Sequence, residues 1–238
     1  MAPKQPGGAL PRYVQISELL AREIAAGIWP DGGRLPTEAE LAAKLGVAVG
    51  TLRKALAQLE QRGLLERIQG SGTYVRRQKK IGGVYSFLRL ELKAGAGLPR
   101  ASILSLDKVN MPDGAPKLGP DGSSTAWRVR RLRHLGETPA ALEEIYFDTR
   151  HAPDLEIDSI NESMYLFYRD KLGFWIAGIE DKVGVAPCPA FAARHSNFAQ
   201  RAALGYVERI SWSNGGTVEE FSRNWFDAET VAYVGRWI

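Results

Sequence analysis

The sequence predicts an α+β chain in two parts, an N-terminal winged helix-turn-helix followed by an α+β domain built on an antiparallel sheet. Three observations predict this. Helical periodicity with glycine stops runs over residues 13–62, two strand patterns joined by a glycine-rich tip follow to residue 76, and past residue 100 strand character dominates with few helices. A length of 238 residues with 45% apolar and 24% charged side chains suits two domains, each with a buried core. The expected layout is a flexible leader at 1–11, the winged helix at 12–77, a linker at 78–84 and the second domain at 85–238.

The leader is rich in Pro and Gly. From Tyr13, the residues Ile16, Leu19, Leu20 and Ile24 fall on one helical face, and Gly27 and Pro30 end the helix. After the turn Asp31-Gly32-Gly33, the segment Thr37-Glu38-Ala39-Glu40 has the spacing of a capping box, in which the threonine caps the helix start and Glu40 reaches back. That short helix runs to Leu45 and Gly46 closes it. A third helix follows Gly46-Val47-Ala48 and runs to about Arg62. Leu52, Ala55, Leu56 and Leu59 face inward, and Thr51, Arg53, Lys54 and Gln58 face outward. Two short helices around a tight glycine turn have the spacing of a helix-turn-helix, whose second helix lies in the major groove of DNA. Leu64 to Ile68 and Thr73 to Arg76 read as strands joined through Gln69-Gly70-Ser71-Gly72, a hairpin wing. Its glycines let backbone amides approach phosphate, with Arg67, Arg76 and Arg77 supplying positive charge.

Charge is unevenly distributed. The first 80 residues hold 13 Lys and Arg against 7 Asp and Glu, and the rest hold 18 against 20, although the whole chain is only +4. A nucleic-acid-binding head on a near-neutral body has this asymmetry, as does a chance clustering of solvated charges. The lone cysteine, Cys188, excludes an intrachain disulfide and gives no cysteine-based metal site, which fits a reducing cytoplasm. The start lacks the apolar core of a signal peptide, and no apolar run approaches the ~20 residues of a membrane helix. His134, His151 and His195 lack metal-ligand spacing, and no nucleophile elbow or phosphate-binding glycine loop is present. The expectation is a cytoplasmic protein with no metal, no cofactor, no membrane partner and no catalysis.

Arg34-Leu35-Pro36-Thr37-Glu38, Leu41-Ala42, Leu45-Gly46-Val47, Thr51-Leu52-Arg53-Lys54-Ala55-Leu56, Leu59-Glu60, Gly63-Leu64 and Gln69-Gly70-Ser71-Gly72-Thr73 together resemble the DNA-binding domain of the GntR family of transcription regulators. The resemblance covers about residues 12–76. It implies that Arg34, Thr37, Thr51 and Arg53 touch DNA and that Gly70 belongs to a wing tip reaching the minor groove. Lys54 on the same outer helical face and Gln69 in the wing loop complete the expected contact set. The chain departs from its relatives at Ala39, where many have arginine, and at Ala48-Val49, where they have Ser-Arg. A different operator, or weaker binding, is implied, since arginine on guanine is the commonest base-specific contact.

Beyond the basic run Arg76-Arg77-Gln78-Lys79-Lys80 and the joint Ile81-Gly82-Gly83, strands are expected at Ile103 to Val109, Thr125 to Leu135, Ala140 to Phe147, Val207 to Trp212 and Val218 to Phe226. Helical composition marks Ser163 to Leu172 and Phe191 to Leu204, and Met111 to Ser124 is a loop. Five of the six tryptophans lie in this half and are expected mostly in its core.

Trp127 through Glu143, Ser163-Met164-Tyr165 near Leu172-Gly173, and Gly216 through Ser222 resemble the UTRA ligand-sensing domain of one GntR subfamily, with a chorismate-lyase-like fold. The resemblance implies that Arg131 and Arg133 bind ligand, that Glu143 and Glu220 complete the pocket, and that Ser86 and Phe87 lie near a stretch closing over it. Independently, residues i and i+2 of a strand share a face, so Arg131 and Arg133 project together and suit a carboxylate or phosphate. The alternatives are a buried ion-pair network with Glu143, or surface exposure. Taken together, the expectation is a homodimeric, ligand-responsive repressor that binds a near-palindromic operator in double-stranded DNA and is released by a small anionic effector. Two other readings stand beside it: a constitutive DNA binder whose second domain only dimerises, and an enzyme using Glu143 and Glu220 as acid and base.

Overall fold

The computed structural model of the chain describes residues 10–25, 27–76, 87, 89–95, 97–194, 198 and 203–235. The expected leader up to residue 9, Arg77, the linker, Ser86, His195 and Trp237 lie outside the described residues. The chain divides into two compact units, one within Leu10–Leu88 and one within Arg89–Val234.

The first unit holds α1 (Arg12–Ala25), α2 (Glu38–Lys44), α3 (Val49–Gln61) and the hairpin β1 (Leu65–Ile68) and β2 (Gly72–Val75). The apolar stripe of α1 is buried at Ile16, Leu19, Leu20 and Ile24, and that of α3 at Leu52, Ala55, Leu56 and Leu59. Leu41, Leu64, Leu65 and Val75 close the core. The capping box at α2 is complete: the Glu40 amide donates to Thr37 Oγ1 at 3.3 Å, and the Thr37 amide donates to Glu40 Oε2 at 2.9 Å. Gly46 and Gly63 end α2 and α3 at φ of 63° and 71°, the left-handed region where a β-carbon is costly.

The second unit is a six-stranded antiparallel sheet in the order β4-β5-β6-β9-β8-β7. Its strands are β4 (Pro99–Asn110), β5 (Thr125–Leu135), β6 (Thr138–Asp148), β7 (Ile176–Ala186), β8 (Leu204–Ser213) and β9 (Val218–Phe226). Two three-stranded meanders thus meet at β6 and β9. A small ribbon pairs β3 (Leu90–Leu92) with β10 (Val231–Tyr233). Between β6 and β7 the chain carries α4 (Met164–Phe167), which runs on into a wider turn at Tyr168–Leu172.

The expected strands are all present, each within a few residues, while β7 is a strand the sequence pattern concealed. Of the stretch read as helical from Phe191 to Leu204, only the ends and residue 198 are described, and residues 195–197 and 199–202 lie outside the described residues. A 3-10 turn occupies Ala190–Arg194, and Leu204 already belongs to β8. One face of the sheet is covered by that turn, where Leu142, Leu204 and Trp225 cluster with Ala192 and Phe198. The long loop after β4 covers the same face further along, where Leu118 packs with Ala126, Tyr146 and Phe221. On the other face the Phe147 ring meets Phe167 and Tyr168 at centroid distances of 6.2 and 5.4 Å. Trp127 and Trp225 are buried as expected, but Trp175 is 52% exposed.

Candidate nucleic-acid interface and ligand site

In the first unit, the residues expected at DNA line the exposed sides of α3 and the hairpin. Arg53 and Lys54 are exposed on α3, Thr51 is half-buried near its start, and Gln69 and Gly70 are exposed at the hairpin tip. Gly70 has a φ of 74°, which the tight tip requires. Arg34 bridges to Tyr74 of β2 and leaves its side chain exposed beside Gly72. Thr37 differs from the others, because its hydroxyl is engaged within the α2 cap, donating to Glu40 Oε2 at 2.8 Å. Ala48 caps α3 without a side-chain hydrogen bond, and its carbonyl accepts from the Thr51 and Leu52 amides at 2.9 and 3.1 Å.

Glu38 is the residue the sequence reading missed. Its two carboxylate oxygens accept from Arg53 Nε of α3 and Arg67 Nη2 of β1, each at 2.5 Å. The pairs are largely exposed, so they add little to stability. Their effect is positional, because one carboxylate ties the helix to the wing.

In the second unit, β5 sorts its arginines between two faces. Arg128 and Arg130 point to one face, toward Asp107 and Glu144 at 3.0 and 2.8 Å. Arg131 and Arg133, one residue out of phase, point to the other. There the backbone register sets Arg131 opposite Glu143 of β6, and a bulge follows Arg133. Arg131 Nη2 and Arg133 Nε each approach Glu143 at 2.5 Å, on different oxygens, and Arg131 Nη1 donates to the Glu162 carbonyl at 3.1 Å. All three side chains are buried. Burial alone would push the Glu143 carboxyl up, but the two guanidiniums outweigh it and bring its pKa down to about 2.

Glu220, from β9 on the same face, accepts hydrogen bonds from Tyr168 Oη at 2.7 Å and Ser211 Oγ at 3.0 Å. Here burial prevails over those bonds and over Arg209 and Arg131, so the carboxyl is pushed upward. Burial, and then the charge of Glu220, also raise the Tyr165 hydroxyl to about 12. Arg209 of β8 grips Asp181 of β7 at 2.6 and 2.7 Å, and Tyr233 donates to the same carboxylate at 2.6 Å. Arg209, Asp181, Ser211 and Tyr168 were not legible as site residues, because their approach depends on strand order. Tyr168, three residues from the recognisable Tyr165, carried the only local signal.

The structure thus unites Arg131, Arg133 and Glu143, with Glu220 near Arg131 on the same face. Phe87 is a half-buried turn residue in the stretch that clusters with the first unit. His151 is tied to Glu219 at 2.8 Å and stacked on Phe174, a packing role, and His134 is half-buried on β5. No helix among the described residues is long and apolar enough to cross a membrane.

Comparison with known proteins covers both units. Residues 12–75 match the model of the bacterial regulatory proteins of the gntR family, and residues 96–232 match that of the UTRA domain. The transcriptional regulator SmoD of Agrobacterium fabrum is 43% identical over 233 residues, covering 98% of this chain and 99% of SmoD. The mannosyl-D-glycerate transport/metabolism system repressor MngR of Escherichia coli is 29% identical over 231 residues, covering 95% of each chain. Among solved structures, the regulator YydK of Bacillus subtilis shares the fold at a TM-score of 0.50 and 21% identity, covering 95% of this chain and 99% of its own. A three-helix head with a glycine-tipped wing, a six-stranded sheet with paired buried arginines, and these matches along nearly the whole chain agree: the protein belongs to the GntR family, as a transcription regulator with a DNA-binding helix-turn-helix and a UTRA effector-binding domain.

Proposed function

We propose that the protein is a cytoplasmic, homodimeric repressor that holds a near-palindromic operator and releases it when a small anion, carboxylate or phosphate, binds the second unit. The observation that carries this reading is the cluster of two buried arginines on a single carboxylate, Arg131 and Arg133 on Glu143. Two guanidiniums converging on one face present paired donors of the kind that grip a carboxylate or phosphate. The E. coli relative, named for a mannosyl-glycerate system, is consistent with a ligand bearing a carboxylate. Glu220 with its tyrosine and serine partners supplies hydrogen-bonding groups for the uncharged part of the ligand, and the family resemblance puts Ser86 and Phe87 near a stretch that closes over it. The unit binds its ligand without turning it over.

The side chains of Arg131 and Arg133 are only 3% and 9% exposed, so an anion reaches them only when their cover moves. That coupling gives ligand a reason to prefer one arrangement of the protein, and a shift in DNA affinity requires such a preference. On the operator, two copies of α3 enter successive major grooves about one turn apart. Arg34, Thr51, Arg53 and Lys54 meet the duplex beside α3 with Thr37 at the α2 cap, and Gln69 and Gly70 carry the wing to the minor groove.

Two substitutions test the reading together. Arg53→Ala is expected to weaken operator binding roughly tenfold or more while leaving thermal stabilisation by small sugar acids and sugar phosphates unchanged. Arg131→Ala is expected to keep operator affinity and lose both that stabilisation and the release of DNA. Fluorescence anisotropy on upstream DNA and thermal shift read the two properties. An Arg131→Ala protein that still lets go of its operator on ligand addition would return the arginine pair to a structural role.

A further inference from the structure

The arginines of the wing itself are already engaged. Arg67 of β1 is held by Glu38, and Arg76, just past β2, pairs with Glu66 at 2.7 Å. A hairpin that reaches into a groove of DNA gains most from a positive charge near its tip, and each of these two brings a carboxylate with it.

Arg34 is placed differently. The stretch before α2 lies along β2 as a short third strand: the Leu35 amide donates to the Thr73 carbonyl and the Val75 amide to the Gly33 carbonyl, both at 2.9 Å. Between those bonds Arg34 sits opposite Tyr74, and since Leu35 is buried, the alternation of a strand turns Arg34 outward. Its side chain then runs toward the tip of the hairpin. A β-carbon on Gly72 would come within 2.7 Å of Arg34 Nε and 3.4 Å of Cζ and Nη2, so the guanidinium fills the space that a side chain at 72 would need. Across the ladder from Gly72 stands Ile68, exposed and with no acceptor to offer. The Tyr74 and Ser71 hydroxyls share a hydrogen bond of 2.7 Å, which braces the turn beyond. Glu40 is near enough to feel the charge of Arg34, but its carboxylate is committed to the α2 cap. No carboxylate among the described residues pairs with Arg34.

We infer that Arg34, although it belongs to the loop between α1 and α2, is the cation that the wing carries into the minor groove, where it selects A·T-rich steps adjoining each half-site. Runs of A·T narrow that groove and deepen its negative potential, which draws arginine in. The guanidinium suits the task because it is more weakly hydrated than an ammonium. A·T and T·A look alike from this side, so the choice is of base-pair class and not of exact sequence. Gly72 is then a positioning residue, since its bareness gives the guanidinium its path. This rests on the operator reading above and moves Arg34 from the surroundings of α3 to the company of Gln69 and Gly70.

Selection of binding sites from a pool of randomised duplexes by the full-length protein tests the assignment. The wild type is expected to enrich a core motif with an adjoining A·T run, and Arg34→Ala the same core without the run. On defined duplexes carrying that core, Arg34→Ala should bind roughly tenfold more weakly than the wild type when the adjoining steps are A·T, and within about twofold of it when they are G·C. Gly72→Ala should copy this pattern and add nothing to an Arg34→Ala protein. At a φ of 136° alanine is strained at this position whatever the space, so thermal midpoints are read alongside, and Arg34→Ala decides alone if Gly72→Ala does not fold. An A·T run absent from the wild-type selection, one that persists with Arg34→Ala, or an equal loss on both duplexes would return the arginine to an ordinary phosphate contact. A folded Gly72→Ala protein that keeps the run would remove the glycine from the account. A wild type that enriches no motif would sink the operator reading itself.

Discussion

Replacing Glu143 with alanine is expected to destabilise the second unit by about 3–5 kcal/mol, seen as a fall in thermal midpoint of roughly 10 °C. The size follows from what remains. Arg131 and Arg133 lie buried side by side, each held to the same carboxylate, and its removal leaves two like charges in a low-dielectric site. The sign with pH is equally definite. Because the Glu143 carboxyl titrates at about 2 when folded, below its usual 4.5, its contribution is fully present above pH 4.5 and is lost as the pH falls toward 2. Chemical unfolding of wild type and variant should therefore converge through that acid window. Millimolar sulfate at neutral pH should recover part of the variant's loss by standing in for the missing carboxylate. A loss below about 1 kcal/mol would mean that the arginines hold their charge without Glu143, as exposed pairs do.

Replacing Gly205 with valine is expected to destabilise the same unit by about 1–3 kcal/mol, again by chemical unfolding. Gly205 is buried on β8 with Phe226 opposite it across the ladder to β9. A β-carbon there would come closer than 3.0 Å to three carbons of the Phe226 ring. That ring is walled in by the sheet, so it has little room to yield, and the two added methyls of valine press harder still. Gly205→Ala should show the smaller part of the effect, and an alanine variant as stable as wild type would show that Phe226 can repack.

The legibility of the chain follows the range of its interactions. The three helices of the head were readable because their apolar residues recur locally and glycines mark their ends, as at Gly46 and Gly63. In the second unit, β5 and β9 showed themselves by length and residue type. Strand β7 did not, because Glu180-Asp181-Lys182 between two glycines imitates a loop, and a strand at a sheet edge needs no clean alternation. Gly205 lies in β8 but before Val207, where the expected strand began. It weakens a strand on local grounds and is used here for close approach by an aromatic ring. The pairing of Arg131 and Arg133 could be anticipated from their spacing. That Glu143 would receive both depended on the register of β6, and that Arg209 and Asp181 would join the same face depended on the order of β8 and β7. Neither is a local property.

Glu38 gives the head a built-in competitor. Any polyanion that draws Arg53 or Arg67 onto a phosphate must first part it from a carboxylate already in place, so the gain from a random phosphate contact is reduced by the bond it replaces. A duplex that also satisfies the neighbouring groups of α3 and the wing recovers that deficit through its other contacts, and one that does not is held more weakly. An acidic side chain in the middle of a basic surface thus works as a discriminator, lowering the background of indiscriminate sticking against which a target must be found.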